Sequence, residues 1–434
     1  MSEYFEIAYA AASKGLCLFT GTGFSKAVTG NAAPTWKALL IDLCDLCDNP
    51  TALKDALFPS VGDAPLSLEE AAQVIEIELL KKGKLIDDEI SSLIKAVDLD
   101  GDNSKVEEFC QAHSFQVVTT NYDKLMEKLC GEANCQSLTP GLPIPRSDAR
   151  VKVYHVHGSV DVPENMVVTA NDYFSFLNAQ TYFSRKLSTI LHENTVVIIG
   201  YSLSDMNLKA ILSDYKGFAK SNLIGSNIFL VSRSKVKNYI KDYYSNCYGI
   251  RVIDDTGVAK FFSEVTCNIA VAKDCIDTAM TAMTNVLAGT HKFKKNFINL
   301  ENSFFEIVAS ISAKGHSLNA DAVVKMIGKV IAQKQKLTQE TGAWEQYTHL
   351  AKWLVYLGAI MELKSTSIED IYLKAVRRSM DTMSKKLILG YSWHAYNVWE
   401  AKWPSLMPAN RVMIKEYITD KLGNDDAIGI VNLG

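Results

Sequence analysis

The chain has 434 residues, 48% of them apolar and 22% charged, with a formal net charge of −4. That length calls for two or three domains and leaves ample apolar side chain for a large core. The balance excludes a global basic field for nucleic acid, and no apolar run reaches the ~18 residues a helical membrane span requires.

The opening "MSEYFEIAYAAASKG" carries acids and no basic n-region, so no signal peptide is expected. Nine scattered cysteines without a leader fit reduced thiols in the cytoplasm. Strands are predicted at "LCLFT" (16–20), "FQVVTT" (115–120), "VKVYHVH" (151–157), "TVVIIG" (195–200), "NIFLVS" (227–232) and "IRVI" (250–253). Most are continuous apolar runs, as strands buried on both faces should be; "VKVYHVH" alternates and belongs nearer a site or an edge. About 95 residues separate the first two strands, more than one crossover helix needs, so a helical insertion is expected there. Within it "SLEEAAQVIEIELLKKG" (67–83) reads as a helix opened by a Ser67–Glu70 capping box. Beyond about residue 268 the apolar residues take helical spacing. The expected fold is α/β: a Rossmann-like parallel sheet with a helical insertion over 1–268, followed by an α-helical domain over 269–434.

Polar residues recur where these strands stop. Gly21, Thr22, Gly23 and Ser25 follow the first strand in "LFTGTGFSKA". Glycine lets backbone approach a ligand closely, so free N–H groups of this turn could face a pyrophosphate. The third glycine of a dinucleotide fingerprint is replaced by Lys26, and Asp42 and Asp45 fall inside a helix, which disfavours hydride transfer. Asn121 and Asp123 follow the second strand, His157 ends the third ahead of Gly158, Gly200 ends the fourth ahead of Ser202, and Ser232 ends the fifth. Ligands of open parallel sheets bind outside the carboxyl ends of the strands, so these groups specify one crevice. Asp123 and Asp205 also suit helix caps.

In this order, "GTGFS", "TTNYD", "YHVHGS" and "GYSLSD" resemble the GAGxS, TxNxD, HG and GxSLxD blocks of the sirtuin fold, over roughly residues 10–265. The last block is closer to the bacterial sirtuin-like branch than to the deacylases. Two departures matter. "NAAPTWKALL", with Pro34 and Trp36, stands where deacylases carry an acid-Phe-Arg stretch. The four-cysteine zinc ribbon has no counterpart: Cys44 and Cys47 precede the histidine, Cys130 and Cys135 have four residues between them, and 158–195 holds no cysteine, so no metal is expected.

The resemblance implies an enzyme that consumes NAD+, releasing nicotinamide and, with water as acceptor, ADP-ribose. It implies that Asn121 and His157 are catalytic. Gly21, Thr22, Gly23, Ser25, Gly200 and Ser202 would hold the pyrophosphate and ribose, Asp123 would order the pocket, and Ser232, with Arg233 and Asp254, would approach the adenosine. It further implies an anti-phage NADase acting by abortive infection, gated by homo-oligomeric assembly or by a partner such as a HerA-type ATPase, a short Argonaute or a nucleotide-sensing protein. The chain has no P-loop, so an ATPase would be a separate polypeptide. Trp393, Tyr396, Trp399 and Trp403 form one helical stripe, read as domain core ahead of a partner surface. "HKFKKNF" (291–297) reads as a solvated helix junction, too small a patch for direct nucleic-acid binding. A protein deacylase, and a catalytically silent module that binds NAD+ or ADP-ribose, are the alternatives.

Overall fold

A computed structural model describes residues 2–144, 148–178, 182–201, 212, 228–289, 291–313 and 320–433 of the chain. Among them, seven strands form one parallel sheet: β1 (Leu16–Thr20), β2 (Phe115–Thr119), β3 (Cys135–Leu138), β4 (Val151–His155), β5 (Thr195–Ile199), β6 (Ile228–Val231) and β7 (Ile250–Ile253). Their order is β3-β4-β2-β1-β5-β6-β7. Every residue of β1 is buried, because helices cover both faces of the sheet and leave no strand side for polar residues. The edge strand β3, "CQSL", has no counterpart in the sequence reading: it is four residues long and half polar, with neither an apolar run nor a clear alternation.

The chain leaves β1 in one direction to reach β2, and β5 packs on the other side of β1. This reversal of strand order places a crevice at the carboxyl ends of β2, β1 and β5. The long β1–β2 connection is helical, as expected: α2 (Thr22–Val28), α3 (Trp36–Cys44), α4 (Pro50–Leu57), α5 (Leu68–Leu80), α6 (Ile86–Lys95) and α7 (Ser104–Ala112). The capping box on α5 is present, with Ser67 accepting from the Glu70 amide at 3.2 Å and Glu70 accepting from the Ser67 amide at 2.7 Å. The insertion has its own apolar core around Leu40, Leu43, Ile75, Leu79 and Ile90. Tyr122, Val160, Met166 and Val168, from beside the crevice, complete that core.

After β7 a 30-residue helix, Val258–Leu287, runs against the N-terminal helix α1 (Ser2–Ala12) and leads into the helical region. Residue 268 lies inside this helix. One apolar core is continuous from Phe5 through Phe262 to Trp353, Trp403 and Ile430. Tyr396, Trp399 and Trp403 are buried in it, while Trp393 is 39% exposed at the start of its helix. Among the described residues no helix is long and apolar enough to cross a membrane.

Candidate active site at the strand ends

Because β4, β2, β1, β5 and β6 are neighbours, the segments that follow them lie side by side although they are distant in sequence. His157, Asn121, the Gly21–Ser25 turn, Gly200 and Ser232 therefore occupy one rim of the sheet in that spatial order.

At its centre three side chains form a directed chain of hydrogen bonds. Asn121 Nδ2 donates to Ser25 Oγ at 2.8 Å, and Ser25 Oγ donates to Asp123 Oδ2 at 2.7 Å. A carboxylate accepts only, so the Ser25 proton points to Asp123 and the hydroxyl must accept from the Asn121 amide nitrogen. This fixes the Asn121 amide orientation. It also leaves Oδ1, the amide oxygen, without a hydrogen bond among the described residues. Asp123 Oδ1 accepts at 3.2 Å from the amide of Leu125, the first residue of α8 (Leu125–Cys130), whose N-cap position is Lys124 and not Asp123. Burial pushes the Asp123 carboxyl above its ordinary range, and the hydrogen bonds from Ser25 and Leu125 pull it down.

Asn121 is held at its backbone too. Its amide donates to Thr119 Oγ1 at 3.1 Å, and its carbonyl lies 3.1 Å from His155 Nδ1. His155 is fully buried, and its Nε2 lies 2.8 Å from Glu127 Oε1. Lys124 Nζ, 2.8 Å from the same oxygen, also pairs with Asp161 at 2.8 Å and bonds Ser137. Burial works to raise the Glu127 carboxyl, but the charges of His155 and Lys124 outweigh it and bring it down to about 2. The sequence reading missed this cluster. Its one legible signal was "HVH", read as two histidines on one face of a strand over 151–157; the strand stops at His155, so only that histidine is held by the sheet and His157 lies in the turn beyond it.

His157 is buried beyond the end of β4, its ring edge-on to Tyr173 at 5.3 Å and Phe176 at 5.1 Å, both from α9 (Ala170–Asn178). Gly158 follows at φ +87°, and a Cβ there would stand 2.7 Å from the Asn165 carbonyl oxygen, so only glycine lets the loop fold back beside the ring. Tyr122 donates to the Val167 carbonyl at 2.6 Å and stands edge-on to Trp36 at 6.1 Å.

The glycine turn differs from expectation. The helix α2 begins at once, at Thr22, with Gly21 as its N-cap. The Gly21 and Gly23 amides are not free: they donate to the Ile199 carbonyl at 3.1 Å and the Gly200 carbonyl at 2.7 Å. The glycines are required here for close backbone packing. A Cβ on Gly200, at φ +67°, would lie 1.9 Å from the Phe24 nitrogen, and one on Gly23 would lie 2.8 Å from the Gly200 oxygen. Thr22 is half-buried. Ser202 and Asp205 lie outside the described residues. Ser232 bonds the Ser234 carbonyl at 2.7 Å and is separate from the Ser25–Asn121–Asp123 chain. Arg233 is exposed, and Asp254 braces the loop after β6 through the Val236 amide at 2.9 Å and Lys241 at 2.8 Å. Among the described residues no three potential metal ligands converge.

Residues 116–253 match the family model of the SIR2-like domain. The chain is 25% identical over 256 residues to Defense-associated sirtuin 2 of Bacillus subtilis, a match covering 57% of this chain and 24% of that protein. It is 33% identical over 109 residues to the NAD(+) hydrolase ThsA of Enterococcus faecium, covering 24% of this chain and 23% of the relative. The ThsA of Bacillus cereus is 33% identical over 99 residues, covering 22% of this chain and 21% of the relative. The chain thus spans about a quarter of the length of these curated relatives. The parallel sheet, its crevice and these matches agree in likening residues 116–253 to the SIR2-like domain.

Proposed function

We propose that this chain is an NAD+ glycohydrolase of anti-phage defence, cleaving NAD+ to nicotinamide and ADP-ribose. The observation that carries the reading is Asn121, fixed at its amide, carbonyl and side-chain nitrogen while Oδ1 makes no hydrogen bond among the described residues, at the switch point of the sheet. The relatives named as NAD(+) hydrolases and as a defence-associated sirtuin support it.

The bond that breaks joins nicotinamide to ribose. The pyridinium leaves as neutral nicotinamide, and the ribose passes through an oxocarbenium-like state, as in other glycosyl transfers. Water adds to that carbon, and one of its protons goes to a base. Asn121 Oδ1 accepts from a ribose hydroxyl or the attacking water and aligns it. His157, walled by Tyr173 and Phe176, takes the proton near neutral pH. Gly21, Thr22, Gly23 and Ser25 at the start of α2, with Gly200 after β5, border the pyrophosphate, and Ser232 lies toward the adenosine. A free-running NADase would drain its host, so the helical region is assigned the gate, through assembly of copies or a protein partner.

The test is to purify the chain with the products of its neighbouring genes and follow nicotinamide release from NAD+ under infection-like triggers. Asn121→Ala and His157→Ala should fold normally and lose about 10²–10⁴ in rate. Near-wild-type turnover in either variant overturns the assignment. Transfer of an acyl group from a lysine peptide would replace the reading with a deacylase. Binding of NAD+ without turnover would replace it with a sensing module.

A further inference from the structure

We propose that His155 is a positioning residue for this site: pinned between Glu127 and the Asn121 carbonyl, it fixes the backbone from which the Asn121 side chain meets substrate. The proposal rests on the reading of Asn121 as the residue that aligns ribose or water.

The argument is one of donors and acceptors. His155 Nδ1 faces the carbonyl oxygen of Asn121 at 3.1 Å, and Nε2 faces a carboxylate oxygen of Glu127 at 2.8 Å. Both partners only accept. A neutral imidazole has one donor, so a single tautomer would set a ring lone pair against an oxygen inside the protein. Only the ring carrying both protons satisfies both contacts. Its charge is balanced at Glu127, which Lys124 also contacts, and Lys124 is shared in turn with Asp161. Asp123, the other carboxyl near His155, is engaged by Ser25 and the Leu125 amide. Glu127 Oε2 is buried with no partner among the described residues, so the carboxylate is committed to His155 and Lys124 through its other oxygen. His155 also sits at the last residue of β4, paired in register with Thr119, which itself bonds the Asn121 amide. The strand ends of β2 and β4 therefore meet through this ring. Neither Glu127 nor His155 needs to touch substrate to do this.

The two ring nitrogens can be replaced one at a time in the full chain. In His155→Asn the side-chain amide falls near the Nδ1 position and keeps a donor for the Asn121 carbonyl. In His155→Gln it reaches toward Nε2, keeps Glu127 company and leaves the carbonyl bare. Glu127→Gln preserves shape and an acceptor oxygen but removes the charge that lets the ring hold both protons. The readouts are kcat and KM for nicotinamide release, with amide hydrogen exchange across 119–123. We expect kcat to fall by about 10²-fold in His155→Gln and Glu127→Gln with KM nearly unchanged, as for a displaced aligning group. His155→Asn should stay within about tenfold of wild type. Exchange at 119–123 should rise in the first two variants and not in the third. Equal losses in His155→Asn and His155→Gln, or losses that only follow the folded fraction, overturn the proposal. If the wild-type chain releases no nicotinamide while the exchange pattern holds, the proposed function has failed, and what stands is the hold of His155 on the 119–123 backbone without its catalytic purpose.

Discussion

The rim of the sheet and the helical region both bury polar groups, but they connect them differently. At the rim, side chains bond to side chains: Asn121 to Ser25, Ser25 to Asp123, His155 to Glu127, Glu127 to Lys124. In the helical region they bond mainly to backbone. Asn410 Nδ2 donates to the Gly358 and Met361 carbonyls at 2.8 and 2.7 Å, and its Oδ1 accepts from the Leu363 amide at 2.9 Å. Tyr372 donates to the Leu354 carbonyl, Trp353 to the Glu301 carbonyl and Trp403 to the Leu433 carbonyl. Lys334, wholly buried, donates to the Ile298 and Asn299 carbonyls and lies 4.2 Å from the Trp353 ring centroid. The second pattern satisfies peptide groups at helix ends and connections, with the buried Gln346 Oε1 left without a partner among the described residues. The first leaves Asn121 Oδ1 without a hydrogen bond among the described residues, at the rim where the strand ends meet. A buried polar residue is a stronger sign of chemistry when its partners are themselves side chains.

This contrast can be broken by mutation. Asn410→Ala strands the Met361 carbonyl and the Leu363 amide in the core, while the Gly358 carbonyl keeps the Met407 amide at 3.0 Å. It should cost about 2–4 kcal/mol in chemical denaturation while leaving NAD+ turnover per folded molecule unchanged. Ser25→Ala should do the reverse: a loss of about 1–2 kcal/mol, from the Asp123 oxygen left without its donor, but at least a tenfold fall in nicotinamide release. If Asn410→Ala abolishes turnover per folded molecule, or Ser25→Ala leaves it intact, the two regions do not divide the work.

Proton linkage sharpens the contrast with smaller effects. Burial brings the Lys334 ammonium from 10.5 down to about 7, Glu301 opposing it. The folded state then binds fewer protons than the unfolded one between those values, so stability should rise as pH goes from about 7 toward 10.5 and be lost as pH falls through 7. Thermal melts of wild type against Lys334→Met across that range should show the slope vanish in the variant. Glu127 acts in another window. Its folded value of about 2 lies below 4.5, so its contribution is present above 4.5 and lost as pH falls toward 2. A Glu127→Gln chain should show a shallower acid transition.

Five strands were legible because a parallel sheet demands near-continuous apolar runs, β4 by its alternation, and the capping box marked α5. The edge strand β3 was not, since an edge has one neighbour and tolerates "CQSL". Asn121, His157 and the glycine turn stood out because they follow apolar runs. Glu127 did not: it reads as one more exposed acid in "YDKLMEKLC", and only folding brings it onto a histidine 28 positions later. The glycine amides were misread for the same reason, as their acceptors come from the end of β5. Local pattern told where ligand-facing residues begin; which of them answer to each other is a tertiary fact.

The apolar core of the insertion is closed by Tyr122, Val160, Met166 and Val168, side chains that belong to the loops bearing Asn121 and His157. The insertion is therefore the back wall of the crevice loops and no mere ornament on a minimal sheet. Trimming residues 36–95 would strip the apolar cover from Tyr122, Val160, Met166 and Val168, so any loss of function in such a truncation would testify to the missing wall.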